Sequence, residues 1–151
     1  MNSADSVTIV FSGRIPSKKN GQTMIMRGNK RIIVASAKYK LWEKAAIEDD
    51  LYGIEPILWK RFRCEMTIFA PDLIDADLSN KWESLADAMV KAKTVPDDNW
   101  WRMSGVNLIF GGLNRENPRA IVKIWEMAEA LPGDDGKAIA QLKTAKRNAT
   151  S

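Results

Sequence analysis

Between residues 62 and 70 the chain alternates strictly. Phe62, Cys64, Met66, Ile68 and Ala70 fall on one parity and Arg63, Glu65, Thr67 and Phe69 on the other. Successive side chains of a strand point to opposite faces, so the pattern predicts a strand with one face in a core and the other toward water. The end of this run passes directly into Pro71-Asp72-Leu73-Ile74-Asp75-Ala76-Asp77. Residues 78–92 then place Leu85, Ala88 and Met89 at helical spacing, with Trp82 a turn earlier, which predicts an amphipathic helix packed on the sheet. A strand, an acid-rich turn and a helix therefore follow one another without a spacer.

The remaining elements can be read around this unit. Residues 8–11 form a β-branched and aromatic run ending at Ser12-Gly13 and predict a first strand, followed by a polar loop through Pro16, Asn20 and Gly21. Residues 24–26 and 31–34, separated by Gly28-Asn29, predict a hairpin. Ser36 is a suitable N-cap for a helix to about residue 50, with Leu41, Trp42, Ala45 and Ala46 on one side. Two more strands are expected at 103–110 and 120–126, split by a polar loop at 111–118. Such an inventory describes one α+β domain over 1–126, and a tail over 127–151 expected to be disordered or loosely helical. A chain of 151 residues is too short for two independent cores.

Two absences narrow the chemistry. The chain has no histidine, which excludes Ser-His-Asp and Cys-His nucleophilic catalysis and His-ligated zinc. Cys64 is the sole cysteine, so no intrachain disulfide or multi-cysteine metal site can form. The net charge of +4 is unevenly spread. Residues 1–44 carry nine basic side chains against Asp5 and Glu43, whereas 72–98 carry seven acids against Lys81, Lys91 and Lys93. A basic region suits a polyanion, and a carboxylate group beside it approaches the same polyanion through divalent cations.

The acids of 72–98 have a defined arrangement. Asn80, Glu83 and Asp87 fall within one sector of the predicted helix, Asp77 precedes it, and Asp98 follows it. Such carboxylates match the few oxygen ligands that Mg²⁺ takes, with water filling the remaining positions. Each residue also has an ordinary reading. Asp77 can be an N-cap, Glu83 and Asp87 a solvated helix face, Asp97-Asp98-Asn99 a turn, Lys81 an exposed helix lysine, and Trp100-Trp101 an anchor in a core or interface.

Several segments together resemble the RusA family of Holliday junction resolvases. They are Pro16-Ser17-Lys18-Lys19-Asn20 after a first strand, the Ser-Ala-Lys-Tyr-Lys-Leu-Trp helix start, Asp77-Leu78-Ser79-Asn80, Asp87-Ala88-Met89 and Asp97-Asp98. The similarity covers about residues 7–126. It implies an α+β fold with a mixed sheet of four to six strands and two main helices, and a homodimer that cuts four-way DNA junctions with Mg²⁺ or Mn²⁺. The family's acidic motif reads Asp-x-Asp-Asn-x-x-Lys-x-x-x-Asp-Ala-Leu followed by Asp-Asp. Registered without gaps, Asp77 takes the first aspartate, Ser79 replaces the second and Glu83 replaces the lysine. Lys81, two residues earlier, can return the positive charge. An alternative register pairs Asp75 with Asp77 and sets Lys81 four residues on, at the expense of Asn80 and Asp87.

The resemblance implies Asp77 and Asp98 as metal ligands, Glu83 and Asp87 as supporting ligands or acid/base groups, Lys81 as a phosphate neutraliser, and Lys18, Lys19 and Asn20 as DNA contacts. A twofold dimer would present one acidic site to each of two symmetric strands. Two other readings stay open at this point: a protein that binds branched DNA without cutting it, and an oligomer whose charges are solvated surface. No run of about 20 apolar residues suggests a membrane span, and the start of the chain lacks a secretory pattern. The expected compartment is the cytoplasm of a bacterium or phage-infected cell.

Overall fold

The computed structural model describes residues 6–17, 22–74, 77–99 and 101–127. Six strands and two helices follow in the order β1 (Ser6–Ser12), β2 (Gln22–Arg27), β3 (Lys30–Ala35), α1 (Ala37–Ala45), β4 (Phe62–Ala70), α2 (Leu78–Lys91), β5 (Met103–Leu113) and β6 (Arg119–Glu126). The α+β class is as expected, with a mixed four-stranded sheet in the order β1-β6-β4-β5 and a separate two-stranded ribbon, β2-β3. The tail over 127–151 lies outside the described residues except for Met127.

The alternation of 62–70 builds the centre of the molecule. Phe62, Cys64, Met66 and Ile68 are buried on the inner face of β4, beside Ile9 and Phe11 of β1 and Ala120, Val122 and Ile124 of β6. Leu85, Ala88 and Met89 of α2 and Ala46 beyond α1 cover this face. Removing these side chains from water, at roughly 25 cal/mol per Å² of apolar area, is the main term favouring the fold. The outer parity of β4 remains partly exposed. There Arg63 stacks on Trp125, 4.9 Å from the ring centroid, and Arg119 stacks on Phe69 at 4.3 Å. Both stacks join directly paired residues of β4 and β6.

Strands β4 and β5 pair in parallel, whereas β4 and β6 pair antiparallel. Parallel partners need a crossover, and α2 supplies it. The crossover decides the site's layout, because α2 begins near the carboxyl end of β4 and runs back toward its amino end.

α1 differs from its expected orientation. Ser36 does cap it, accepting from the Tyr39 amide at 3.1 Å. Leu41 is 69% exposed, however, and Ala45 is also exposed, while Tyr39 and Ala46 are buried and Trp42 is half-buried. Tyr39 and Ala46 lie two turns apart, and the larger ring takes the inward position that the Leu41 pattern suggested. The helix then widens into a π-helical turn at Ala46–Asp50, with the Leu51 amide donating to the Ala46 carbonyl at 2.9 Å. The Ser12 amide donates to Asp50 at 3.3 Å and ties this turn to the end of β1.

Candidate functional site

The carboxyl end of β4 gathers Arg14, Asp72 and Lys81, each with a defined partner. A cleft of about 190 Å³ lies there, lined by Arg14, Phe69, Asp72, Leu78, Lys81 and Phe110 among others. Arg14, from the segment after β1, forms a bidentate ion pair with Asp72 of the β4–α2 connection. The guanidinium hydrogen bonds hold the Asp72 carboxyl below the usual carboxylate range, helped by the Ile74 amide, which donates to it at 3.1 Å.

Lys81 lies on the wall of this cleft, and its Nζ donates to the Ile15 carbonyl oxygen at 2.5 Å. Burial lowers its pKa, Arg14 lowers it further, and Asp72 opposes both. One turn on, Ser84 is fully buried and its Oγ donates to the Pro16 carbonyl at 2.7 Å. Two α2 side chains thus hold consecutive carbonyls at the start of the β1–β2 loop. Lys18, Lys19 and Asn20 follow immediately and lie outside the described residues.

Asp77 occupies the position before α2, and its carbonyl accepts from the Asn80 and Lys81 amides at 3.1 and 3.3 Å. Its carboxylate does not cap the helix. Among the described residues its side-chain partner is Asn80, whose Nδ2 donates to Oδ2 at 3.4 Å, and the residue is exposed. The ordinary N-cap reading therefore does not account for this carboxylate, which stays open to solvent and ligands.

The other acids are placed differently. Glu83 is exposed and Asp87 half-buried on α2. Asp98 is exposed beyond the far end of α2, its amide donating to Asp97 Oδ1 at 2.8 Å within the turn that leads to β5. α2 has 14 residues and so spans about 20 Å between Asp77 and the turn that carries Asp98. β5 begins with Met103 paired to Phe62, at the amino end of β4, whereas Asp77 follows its carboxyl end. Among the described residues no three acidic groups converge on one metal position. A lone exposed carboxylate such as Asp77 would hold Mg²⁺ only with water and substrate phosphate completing the shell. Asp75, two residues before Asp77, lies outside the described residues.

Sequence reasoning did not single out Arg14, Asp72 or Ser84. Arg14 and Asp72 are 58 positions apart, and only the pairing of β1 and β4 through β6 brings their ends together. A proline followed by an acid directly after the central strand was the available signal for Asp72. Comparison with protein-family models and with curated proteins yields no match to this chain. No helix among the described residues is long and apolar enough to cross a membrane.

Proposed function

We propose that this chain is a metal-dependent endonuclease that hydrolyses phosphodiesters in branched DNA, acting as a homodimer on four-way junctions. The observation that carries the reading is the docking of the Ile15-Pro16 backbone on α2 through Lys81 and Ser84. It makes the basic loop that continues into Lys18 and Lys19 depart from the same helix that Asp77 precedes. The Ile15-Pro16 segment and the solvent-open Asp77 carboxylate thereby both adjoin the first turns of α2.

In this reading Asp77 holds the divalent ion, with Asp75 the nearest further carboxylate in sequence. The ion, when bound, polarises the phosphate and lowers the pKa of an attacking water. Lys81 orients the basic loop, and Lys18, Lys19 and Asn20 contact phosphates and position the strand. Arg14 holds Asp72 at the start of the β4–α2 connection. Asp98 lies at the opposite end of α2 from Asp77 within one chain, so this reading rests the ion on Asp77.

A second reading is favoured by Ser79 at the family's second aspartate and by the absence of a carboxylate trio among the described residues. It is a protein that binds branched DNA without cutting it. Incubation with a synthetic four-way junction and Mg²⁺ decides between the two. Symmetric nicks that disappear in Asp77→Asn are expected for the nuclease. A gel shift with no metal-dependent product establishes the binding protein instead.

A further inference from the structure

The β2-β3 ribbon forms a sheet of its own, separate from the four-stranded sheet. None of its described side chains belongs to the hydrophobic core cluster or to the partly buried hydrophobics packed against it, and its strands pair with each other in register from Gln22↔Ala35 to Arg27↔Lys30. A lone two-stranded hairpin is marginal in water and gains stability from a surface packed against it. Its side chains indicate what that is. The sequence 22–35 contains Arg27, Lys30 and Arg31 and no acid, and all three cations are exposed around the Gly28-Asn29 turn. None of them is held in an ion pair among the described residues.

The two faces of the ribbon differ. Met24, Met26, Ile33 and Arg31 share one face by alternation and register, and Met24, Met26 and Ile33 are 59%, 62% and 68% exposed. Arg27 and Lys30 pair with each other on the opposite face at the tip. One end of the ribbon thus presents cations on both faces, while its body offers flexible apolar side chains. The major groove of a DNA duplex, roughly 12 Å wide, admits a two-stranded ribbon and exposes thymine methyls to apolar contact, with phosphates on either side. Six-residue strands at about 3.4 Å per residue reach about 20 Å, far enough to lie along such a groove.

We propose that the β2-β3 ribbon is a DNA-binding arm that lies in a duplex groove, with Arg27, Lys30 and Arg31 on the flanking phosphates and Met24, Met26 and Ile33 toward the bases. This rests on the nucleic-acid reading above and adds to it a contact surface separate from the cleft at Asp77 and Lys81. Charge favours DNA over a second copy of the chain as the occupant. Two such ribbons brought together would set six cations against one another, whereas a duplex neutralises them and releases its counterions.

The test uses the full chain and a fluorescent four-way junction, with binding measured between 50 and 200 mM salt. Arg27→Gln/Arg31→Gln is compared with the equal charge loss Lys93→Gln/Arg115→Gln at exposed positions outside the ribbon. The slope of log affinity against log salt is expected to flatten by about 1.8 in the ribbon variant, with affinity falling on the order of tenfold, and to remain near wild type in the control. Wild-type binding with equal slopes in both variants overturns the arm and leaves the nuclease reading standing. A ribbon variant with altered particle mass in light scattering without DNA also overturns it, assigning the ribbon to a protein interface. Failure of the wild type to bind any DNA removes both proposals together.

Discussion

Lys81 Nζ donates to the Ile15 carbonyl oxygen at 2.5 Å, joining the acid-flanked helix to the loop that carries Lys18 and Lys19. The bond takes a half-buried ammonium out of the role of a free surface charge and makes it a fastener. Lys81→Met keeps the aliphatic stem and removes only the donor. We expect it to cost about 1 kcal/mol in urea unfolding and to weaken four-way junction binding while leaving the circular dichroism spectrum unchanged. Junction affinity equal to wild type would remove the loop from the DNA-binding surface.

The separation of Asp77 from Asp98 by α2 sets their substitutions apart. A bound metal contributes several kcal/mol to the transition state, so at ~1.4 kcal/mol per decade Asp77→Asn should lower single-turnover junction cleavage by about a hundredfold or more. Asp98→Asn should leave the rate within about tenfold, since Asp98 acts from the other end of the helix. Equal, severe losses in both would restore a shared ion.

Arg14 and Asp72 make a pH-dependent contact. Arg14 depresses the Asp72 carboxyl, so the contact's contribution is complete above the ordinary carboxylate pKa and is lost as pH falls through the lower folded-state value. Carboxyl-carbon NMR should show Asp72 titrating below the ordinary aspartate value, and Arg14→Gln should move it back up. Unchanged titration in Arg14→Gln would break this assignment.

Gly111 lies beneath the Phe69 ring. A Cβ there would sit 2.8 Å from Thr67 Cγ2 and 2.9 Å from two ring atoms of Phe69, whose face Arg119 covers. Gly111→Ala should cost about 1–3 kcal/mol in denaturant unfolding, and Phe69→Leu in the same chain should recover part of the loss. Additive losses in the double variant would show that the ring is not the obstacle.

Cys64 sits on the inner face of β4, and burial pushes its thiol up to about 12. Because the thiolate is the reactive form, a disulfide reagent at pH 8 should leave the native protein unlabelled and react fully once the chain is unfolded. Rapid labelling of the native protein would mean that β4 opens readily.

Much of the fold was legible because its signals are local. The parity of 62–70, the Ser36 cap and the Gly28-Asn29 turn each act within a few residues, and the structure places β4, the start of α1 and the ribbon accordingly. The face of α1 was not, because Tyr39 and Leu41 compete for the interior and only the π-helical turn packed on β1 shows which of them enters.

The candidate site divides in the same way. By itself the amino-acid sequence determined the element types, the buried parity of the central strand, the concentration of acids after it and the lack of any histidine to act with them. The tertiary structure decided which charges meet. The parallel pairing of β4 with its neighbour β5 obliges α2 to run back along the length of the strands, and that return carries Asp98 away from Asp77. The β1-β6-β4 order brings Arg14 to Asp72 across 58 positions. Strand order arises from contacts between distant segments, and no spacing within one segment encodes it.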